Sequence, residues 1–129
     1  MDCAIIDTSS ILFGFTYNRN VFETVKEKFP RHKMLVSKGI IKELTRLSNN
    51  KGRKGLRARI ALLEIKAKRV NVDNISIHPD KWILDTAIRS KNYTVITNDT
   101  DLASKLARVH VKVFKISRSG LLKNFDNIK

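Results

Sequence analysis

Residues 3–10 read Cys-Ala-Ile-Ile-Asp-Thr-Ser-Ser, an apolar run followed at once by an acid and three hydroxyl residues. The apolar part does not alternate with polar residues, so it predicts a strand buried on both faces, as in a parallel sheet covered by helices. Asp7 and the residues after it favour helix N-caps, and a short helix is expected from about Ile11. The stretch therefore predicts the first strand and helix of an α/β fold.

The rest of the chain repeats this alternation. Strands are predicted over residues 34–36, 70–77, 93–96 and 109–116. Helices are predicted over 21–29, from 37 onward, over 56–67, from about 80 to 91 and over 102–108, with a polar loop at 49–55. In the helix over 56–67, Ile60, Leu63 and Ala67 are expected to lie on one side. The alternation predicts an α/β fold of three layers, α/β/α, with a central parallel sheet, and residues 1–129 are expected to form one domain.

Charge points to the class of partner. The chain carries 26 lysines and arginines against 12 aspartates and glutamates, a formal net charge of +14 at pH 7. We expect a nucleic acid partner rather than a membrane, because no basic helix with bulky aromatic residues on its apolar face is evident. No apolar stretch approaches the ~18 residues that span a bilayer. The single cysteine, Cys3, cannot form an internal disulfide, which is typical of a cytoplasmic protein.

The acids fall where an α/β sheet places its sites. Asp7 directly follows the first strand, and Asp99 and Asp101 follow a later one. Glu43 lies one turn into its predicted helix, and Asp80 lies in the first turn of another. Sites of open α/β sheets form outside the carboxyl ends of the strands, so Asp7 and Asp99 are expected to meet if their strands are neighbours.

Carboxylates that converge in this way repel one another, and some of them would have to take up protons. Mg²⁺ or Mn²⁺ removes the conflict because both ions favour oxygen ligands. Each acid also has an ordinary structural interpretation. Asp7 and Asp99 could each cap a helix, and Asp80 could interact with a helix dipole. Glu43 could pair with a basic neighbour on its own helix. Only the complete set favours a metal site over these separate roles.

Other kinds of site have little support. There is no Gly-x-Gly-x-x-Gly after the first strand, no phosphate-binding Gly-Lys-Ser/Thr loop, and the three histidines lack metal-ligand spacing. A phospho-receiver domain is also α/β with acids at strand ends. It needs an acidic pair after the first strand, which Asp7-Thr8 does not supply.

Four short motifs, in order along the chain, resemble those of PIN domains. They are Ala4-Ile5-Ile6-Asp7-Thr8-Ser9, then Ile41-Lys42-Glu43-Leu44, then Asp80-Lys81-Trp82-Ile83 with Ala87, and last Val95-Ile96-Thr97-Asn98-Asp99-Thr100-Asp101-Leu102. The last motif, a Thr-Asn-Asp followed by a further acid and a leucine, is fairly specific. Together the motifs span positions 4 to 102, and the chain resembles a PIN-domain ribonuclease.

This resemblance implies a twisted parallel sheet flanked by helices and an endoribonuclease that depends on Mg²⁺ or Mn²⁺. The implied catalytic and metal-binding acids are Asp7, Glu43, Asp80 and Asp99, with Asp101 as an auxiliary metal ligand. Ser9 and Thr97 would orient these acids through their hydroxyls. The implied reaction is attack of a metal-activated water on a phosphodiester of single-stranded RNA.

A basic region that contains Arg53, Lys54 and Arg57 stands apart from these motifs. In toxin-type members of the family this region often packs on an antitoxin or a second copy. Here it is expected to bind the RNA backbone, with a solvated charged face as the alternative. Trp82 is expected in the core, with base stacking as the alternative. Asp85 lies five residues after Asp80 and is expected to point away from the site.

Three biological settings fit the resemblance. The protein could process ribosomal RNA, act as the toxin of a toxin–antitoxin pair, or serve as an RNA-binding module whose catalysis is weak or lost. The expected partner is single-stranded RNA. A homodimer, an antitoxin and a ribosomal precursor particle are further candidate partners.

Overall fold

Parallel strands make up most of the sheet. In the computed structural model, which describes residues 1–125, the strands are β1 (Cys3–Ile6), β2 (Lys33–Ser37), β3 (Asn71–Asp73), β4 (Tyr93–Ile96), β5 (Lys112–Ile116) and β6 (Leu122–Asn124). They lie in the order β3-β2-β1-β4-β5-β6. All neighbouring pairs are parallel except β5 and β6, which are antiparallel. The expected central sheet is therefore confirmed, with one antiparallel strand at its edge.

Helices cover both faces of this sheet. They are α1 (Thr8–Thr16), α2 (Val21–Lys28), α3 (Lys38–Ser48), α4 (Gly52–Ala67), α5 (Pro79–Ala87) and α6 (Thr100–Arg108). Right-handed crossovers put α1 to α4 on one face and α5 and α6 on the other, because the chain reverses direction across the sheet after β3. The packing agrees, since α3 contacts α4 and α1, whereas α5 contacts α6 and β4. The three-layer expectation is confirmed. Within the described residues, no helix has the length and apolarity needed to cross a membrane.

Trp82 belongs to the core. Its side chain is 1 % exposed, and its indole N–H donates to Asp73 Oδ2 at 2.9 Å. A base cannot stack on an indole that is buried in this way. The core assignment is confirmed, and the stacking alternative is wrong.

Helix α4 packs through a face that carries few large side chains. Its buried residues are Gly55, Ala58, Ala61 and Ile65. The three apolar residues expected on one side of the helix, Ile60, Leu63 and Ala67, are all exposed. Small residues let α4 approach its neighbours closely, and a Cβ on Gly55 would overlap the Asn50 carbonyl oxygen. Side-chain size therefore does not mark the buried face of this helix.

Several boundaries also differ from the predicted ones. α1 begins at Thr8 rather than near residue 11, and α4 begins at Gly52, inside the predicted loop. α5 ends at Ala87, earlier than predicted, and β5 begins only at Lys112. β6 was not predicted at all. The expectation of one domain extends to residues 126–129, which lie outside the described part of the chain.

The strand predicted over 70–77 is limited to β3, and residues 74–78 leave the sheet to run beside α3. The Gly39 N–H donates to the Ile75 carbonyl at 3.2 Å. A Cβ on Gly39 would lie 2.5 Å from the Ile77 carbonyl oxygen. Glycine is therefore required for this close approach, which fixes the start of α5 and the position of Asp80 relative to α3.

Gly39→Ala is expected to lower the free energy of unfolding by about 1–3 kcal/mol, because the added methyl group overpacks against a backbone oxygen. Thermal unfolding measures the loss. Lys38→Ala is the matched control, since Lys38 is exposed on the same turn, and it should change stability by less than about 0.5 kcal/mol. Equal stability of the two variants would show that residues 74–78 are not held against α3.

Candidate functional site

A cleft of about 320 Å³ lies at the carboxyl ends of the central strands. It is lined by residues of α1 and its N-cap, α3, α4, α5 and the N-cap of α6, namely Asp7, Thr8, Ser9, Leu12, Glu43, Arg46, Leu47, Lys54, His78, Pro79, Asp80 and Asp99. We call it the acidic cleft. Four predicted acids, distant in sequence, thus line one cavity.

Asp7 has the most constrained side chain in the acidic cleft. It is 4 % exposed. Its Oδ2 accepts hydrogen bonds from Ser9 Oγ at 2.7 Å and from Thr97 Oγ1 at 2.8 Å. The backbone carbonyl of Asp7 caps α1, but its side chain does not. The capping interpretation therefore fails for this carboxylate, which is held by hydroxyls instead.

The two hydroxyls are themselves fixed by backbone donors. Ser9 Oγ accepts from the Asn98 N–H at 3.0 Å, and Thr97 Oγ1 accepts from the Asp99 N–H at 3.1 Å. Ser9 Oγ and Thr97 Oγ1 also lie 3.1 Å from each other, and both lie within hydrogen-bond distance of Asp7 Oδ2. Asp7 Oδ2 can accept a hydrogen bond from each hydroxyl, because a carboxyl oxygen has two lone pairs. The predicted orienting residues Ser9 and Thr97 therefore both contact the Asp7 carboxylate.

Burial raises the pKa of the Asp7 carboxyl above its ordinary value of 3.8. The hydroxyls of Ser9 and Thr97 lower it, and the carboxylates of Asp80 and Glu43 raise it further. Electrostatic repulsion among these acids agrees with their shared place in the acidic cleft. A cation in the cleft would relieve both the burial penalty and the repulsion.

Two of the other three acids lie at the starts of helices, and Glu43 lies in the second turn of α3. Asp99 caps α6 by accepting the Leu102 N–H on Oδ1 at 3.1 Å, so its capping interpretation holds for one oxygen. Asp80 lies in the first turn of α5, and its backbone N–H donates to Nδ1 of His78, the N-cap residue of that helix. Glu43 is half-buried on α3. Among residues 1–125, the ion pairs do not include Glu43, so the predicted pairing with a basic neighbour is not seen.

The remaining predicted residues fall in different places. Asp101 is exposed in the first turn of α6 and does not line the acidic cleft. Lys54 lines the cleft, whereas Arg53 and Arg57 line a separate cavity between α1 and α4. Asp85 pairs with Lys81 at 3.2 Å, and like Asp101 it does not line the cleft.

Thr8, Arg46 and His78 line the acidic cleft but were not predicted as site residues. Thr8 is 6 % exposed, and its Oγ1 is buried with no hydrogen-bond partner among the described residues. A buried hydroxyl without a partner costs stability, so its presence beside the acidic cleft is unusual. The position of Thr8 directly after Asp7 could have identified it from the sequence as a residue of the cleft.

The oxygens of the acidic cleft fit Mg²⁺ or Mn²⁺. Asp7 Oδ1 and Asp99 Oδ2 accept no hydrogen bond from the part of the chain that is described, and oxygen ligands are those these ions prefer. Over the same residues, no three acids, histidines or cysteines converge closely enough to hold an ion by themselves. Mg²⁺ usually binds one or two carboxylates and keeps several waters, so water bridges to the remaining acids fit this spacing.

Comparison with known proteins agrees with the motifs. A sequence model described as a PIN like domain matches residues 4–118. The chain belongs to the PIN-like domain family. The resemblance inferred from the four motifs is thereby confirmed.

This PIN-like domain is similar to a curated protein, Ribonuclease VapC4 of Methanocaldococcus jannaschii. The two are 27 % identical over 126 residues, which cover 95 % of each chain. It also shares its fold with a solved structure of the PIN domain endonuclease Utp24. That likeness has a TM-score of 0.76 and 22 % identity, and it covers 98 % of this chain and 94 % of the other.

Asp7→Asn is expected to raise the Tm of this PIN-like domain in EDTA. The folded-state pKa of Asp7 lies above the unfolded value, so its ionised form costs stability. This cost is absent below the unfolded pKa of 3.8, grows as the pH rises toward the folded pKa, and is complete above it. Asparagine avoids the cost and can still accept both hydroxyl protons on its carbonyl oxygen.

The measurement is the Tm of both proteins between about pH 4 and about pH 7, where the difference should widen with pH. Asp85→Asn is the control, because it removes a carboxylate from a partly exposed ion pair and should change Tm little. A difference that is constant or shrinks as pH rises would contradict the assigned cause.

Proposed function

We propose that this chain is an endoribonuclease that hydrolyses single-stranded RNA with the help of Mg²⁺ or Mn²⁺. One observation carries the proposal: the buried Asp7 carboxylate is oriented by two hydroxyls and faces a cleft that it shares with three more acids. Similarity to Ribonuclease VapC4 over 95 % of both chains supports a ribonuclease rather than another use of the fold.

Asp7, Glu43, Asp80 and Asp99 are the proposed residues that hold the ion. Asp101 is kept only as an auxiliary ligand that acts through water, because it does not line the acidic cleft. When bound, the ion lowers the pKa of a coordinated water and neutralises charge on the phosphodiester. Ser9 and Thr97 are positioning residues that aim the Asp7 carboxylate.

Basic residues of the acidic cleft supply the contacts to RNA. Arg46 on α3 and Lys54 on α4 line the cleft together with the acids, and both side chains are exposed. We propose that they bind the phosphates on either side of the scissile bond, which positions the strand without reading its bases. The net charge of +14 favours attraction of the whole polyanion.

For the biological setting we propose RNA processing, including that of ribosomal precursors. Action as a toxin controlled by an antitoxin is the alternative. Expression in a host cell distinguishes RNA processing from action as a toxin, since a toxin arrests growth and a co-expressed antitoxin relieves the arrest. A processing enzyme leaves growth intact and accumulates uncut precursor when it is depleted.

Mn²⁺ is expected to raise the Tm of the parent chain but not that of Asp7→Asn. An ion that binds only the folded state stabilises it by about 2.7 kcal/mol when its concentration is about 100 times Kd. Thermal unfolding with Mn²⁺ and with EDTA measures this difference, with Asp85→Asn as a control that should respond like the parent. An equal response of all three proteins would show that the ion binds elsewhere.

Asp7→Asn and Asp99→Asn are each expected to cut labelled single-stranded RNA at least about 100-fold more slowly than the parent in Mg²⁺ or Mn²⁺, because each removes a proposed ligand charge. Thr97→Val should lose about 10- to 100-fold, since it disturbs the orientation of Asp7. Asp85→Asn should cut like the parent. Undiminished cleavage by Asp7→Asn would contradict the proposal, and RNA binding without cleavage in any metal would identify a binding module instead.

A further inference from the structure

A second cavity, of about 390 Å³, lies between α1 and α4. It is lined by Phe15, Thr16, Asn18, Arg53, Leu56, Arg57 and Ile60, and we call it the α1–α4 cavity. Its volume falls in the range of small-molecule sites, roughly 300–1,000 Å³. Apolar and cationic side chains occur together in it, and among the described residues no acid lines it. Such a composition suits a ligand with an apolar ring and a negative charge.

The α1–α4 cavity and the acidic cleft are bordered by the same two helices, although they share no lining residue. On α1, Leu12 lines the cleft, and Phe15, one turn later, lines the cavity. On α4, Lys54 lines the cleft, whereas its neighbours Arg53 and Arg57 line the cavity. The same two helices therefore border both spaces, and a strand whose phosphate lies in the cleft can continue into the cavity.

The N-terminus of α4 lacks the features that usually stabilise the start of a helix. Its N-cap residue makes no side-chain cap, and its first turn contains no acid. Instead Arg53, Lys54 and Arg57 lie in its first two turns, where their charges oppose the positive end of the helix dipole. α2, α5 and α6 each have an acid in the first turn, whereas α1 and α3, like α4, have none. What sets α4 apart is the group of three basic residues in its first two turns, and bound phosphate would offset this concentration of positive charge.

The large exposed side chains of α4 also favour a ligand in the α1–α4 cavity. Leu56 is 49 % exposed and Ile60 is 37 % exposed. Neither side chain is needed to fill the core, because α4 packs through its small residues. Together with half-buried Phe15 they form the apolar part of the α1–α4 cavity. Apolar and aromatic surface of this kind can hold a base through its flat face.

One polar group of the cavity has its full hydrogen-bonding capacity available. The Asn18 side-chain amide makes no hydrogen bond within residues 1–125, whereas the neighbouring Thr16 hydroxyl already donates to the Leu12 carbonyl at 2.7 Å. Asn18 has a φ of 58°, a left-handed conformation that asparagine tolerates better than most residues. An amide offers a donor and an acceptor side by side, which matches the edge of a base.

We propose that the α1–α4 cavity is a nucleotide subsite for a residue of single-stranded RNA next to the scissile phosphate. Phe15, Leu56 and Ile60 hold its base. Arg53 and Arg57 bind the adjoining phosphates, and Asn18 contacts the edge of the base. The inference rests on the proposed function and deepens it, because it adds base recognition to the phosphate contacts of the acidic cleft.

The test compares two labelled probes of about ten nucleotides, an oligouridylate and the same strand with abasic riboses. Affinities are measured by fluorescence anisotropy in EDTA, where no cleavage occurs. Leu56→Ala should weaken binding of the oligouridylate about fivefold and leave the abasic strand unchanged. Arg57→Ala should weaken both and reduce the salt dependence by about one phosphate contact, a change in slope of roughly 0.7.

Leu63→Ala is the matched control, because Leu63 is an exposed leucine on the same helix that lines a different cavity. It should bind both probes like the parent. Thermal unfolding confirms that Leu56→Ala and Leu63→Ala are folded. If Leu56→Ala binds the oligouridylate as tightly as Leu63→Ala does, the subsite is wrong, and the cavity serves another ligand.

Asn18→Gly provides a second, independent variant, since glycine keeps the left-handed backbone and removes the amide. It should reduce differences in affinity among uridylate, adenylate and cytidylate oligomers. Unchanged differences would exclude Asn18 from base recognition.

Cleavage assays in Mn²⁺ distinguish failure of the nuclease proposal from failure of the subsite proposal. A parent chain that binds RNA with the expected dependence on Leu56 but does not cut it refutes the nuclease and keeps the subsite. A parent that cuts RNA, and whose Leu56→Ala variant binds both probes normally, refutes the subsite and keeps the nuclease.

Discussion

The parallel pairing of β1 with β4 is the constraint on which the acidic cleft depends. Its register aligns Ile6 with Ile96, so the residues that follow, Asp7 and Thr97, lie side by side. The Asp7 N–H donates to the Ile96 carbonyl at 2.9 Å, and the Thr97 hydroxyl then reaches Asp7 Oδ2. Asn98 secures the same strand end, because it bonds to the backbone of β5 and accepts from Ser10 at the start of α1. A slip of one residue would move the partners by about 3.3 Å and break these hydrogen bonds.

The charges of the acidic cleft are opposite to the net charge of the chain. The chain has a net charge of +14, yet the buried Asp7 carboxylate and three further acids line the cleft. Without a cation these acids repel one another, and under the proposed function they would also repel the phosphodiester. A divalent ion held by them would reverse the local sign, so that the acids and the neighbouring Arg46 and Lys54 could act on the same phosphodiester. The raised pKa of Asp7 agrees with this proposal, because a buried carboxylate without a cation costs stability when it is ionised.

Much of the fold and of the acidic cleft could be predicted from the sequence, because the sequence patterns that indicate them are local. The run from Cys3 to Asp7 signals a buried strand with an acid at its end, and the fourth motif does the same for β4. Their adjacency could be stated only as a condition, since strand order is a tertiary property. The buried face of α4 could not be predicted, because it carries the small residues Gly55, Ala58 and Ala61 while the larger Leu56, Ile60 and Leu63 are exposed. The edge strand β6 was missed because it has only three residues, two of them polar, which give no strand pattern of their own; it is held by pairing with the preceding strand β5. Thr8 shows a related limit, since only the fold buries its hydroxyl without a partner among the described residues.

Crystals soaked in Mn²⁺ and measured near the manganese absorption edge test the central claim most directly, because anomalous scattering locates the ion without any assumption about activity. The account predicts an anomalous peak inside the acidic cleft, bound to Asp7 and to at least one of Glu43, Asp80 and Asp99. A chain whose acids remain without an ion at saturating Mn²⁺, or whose peak lies away from Asp7, would contradict it.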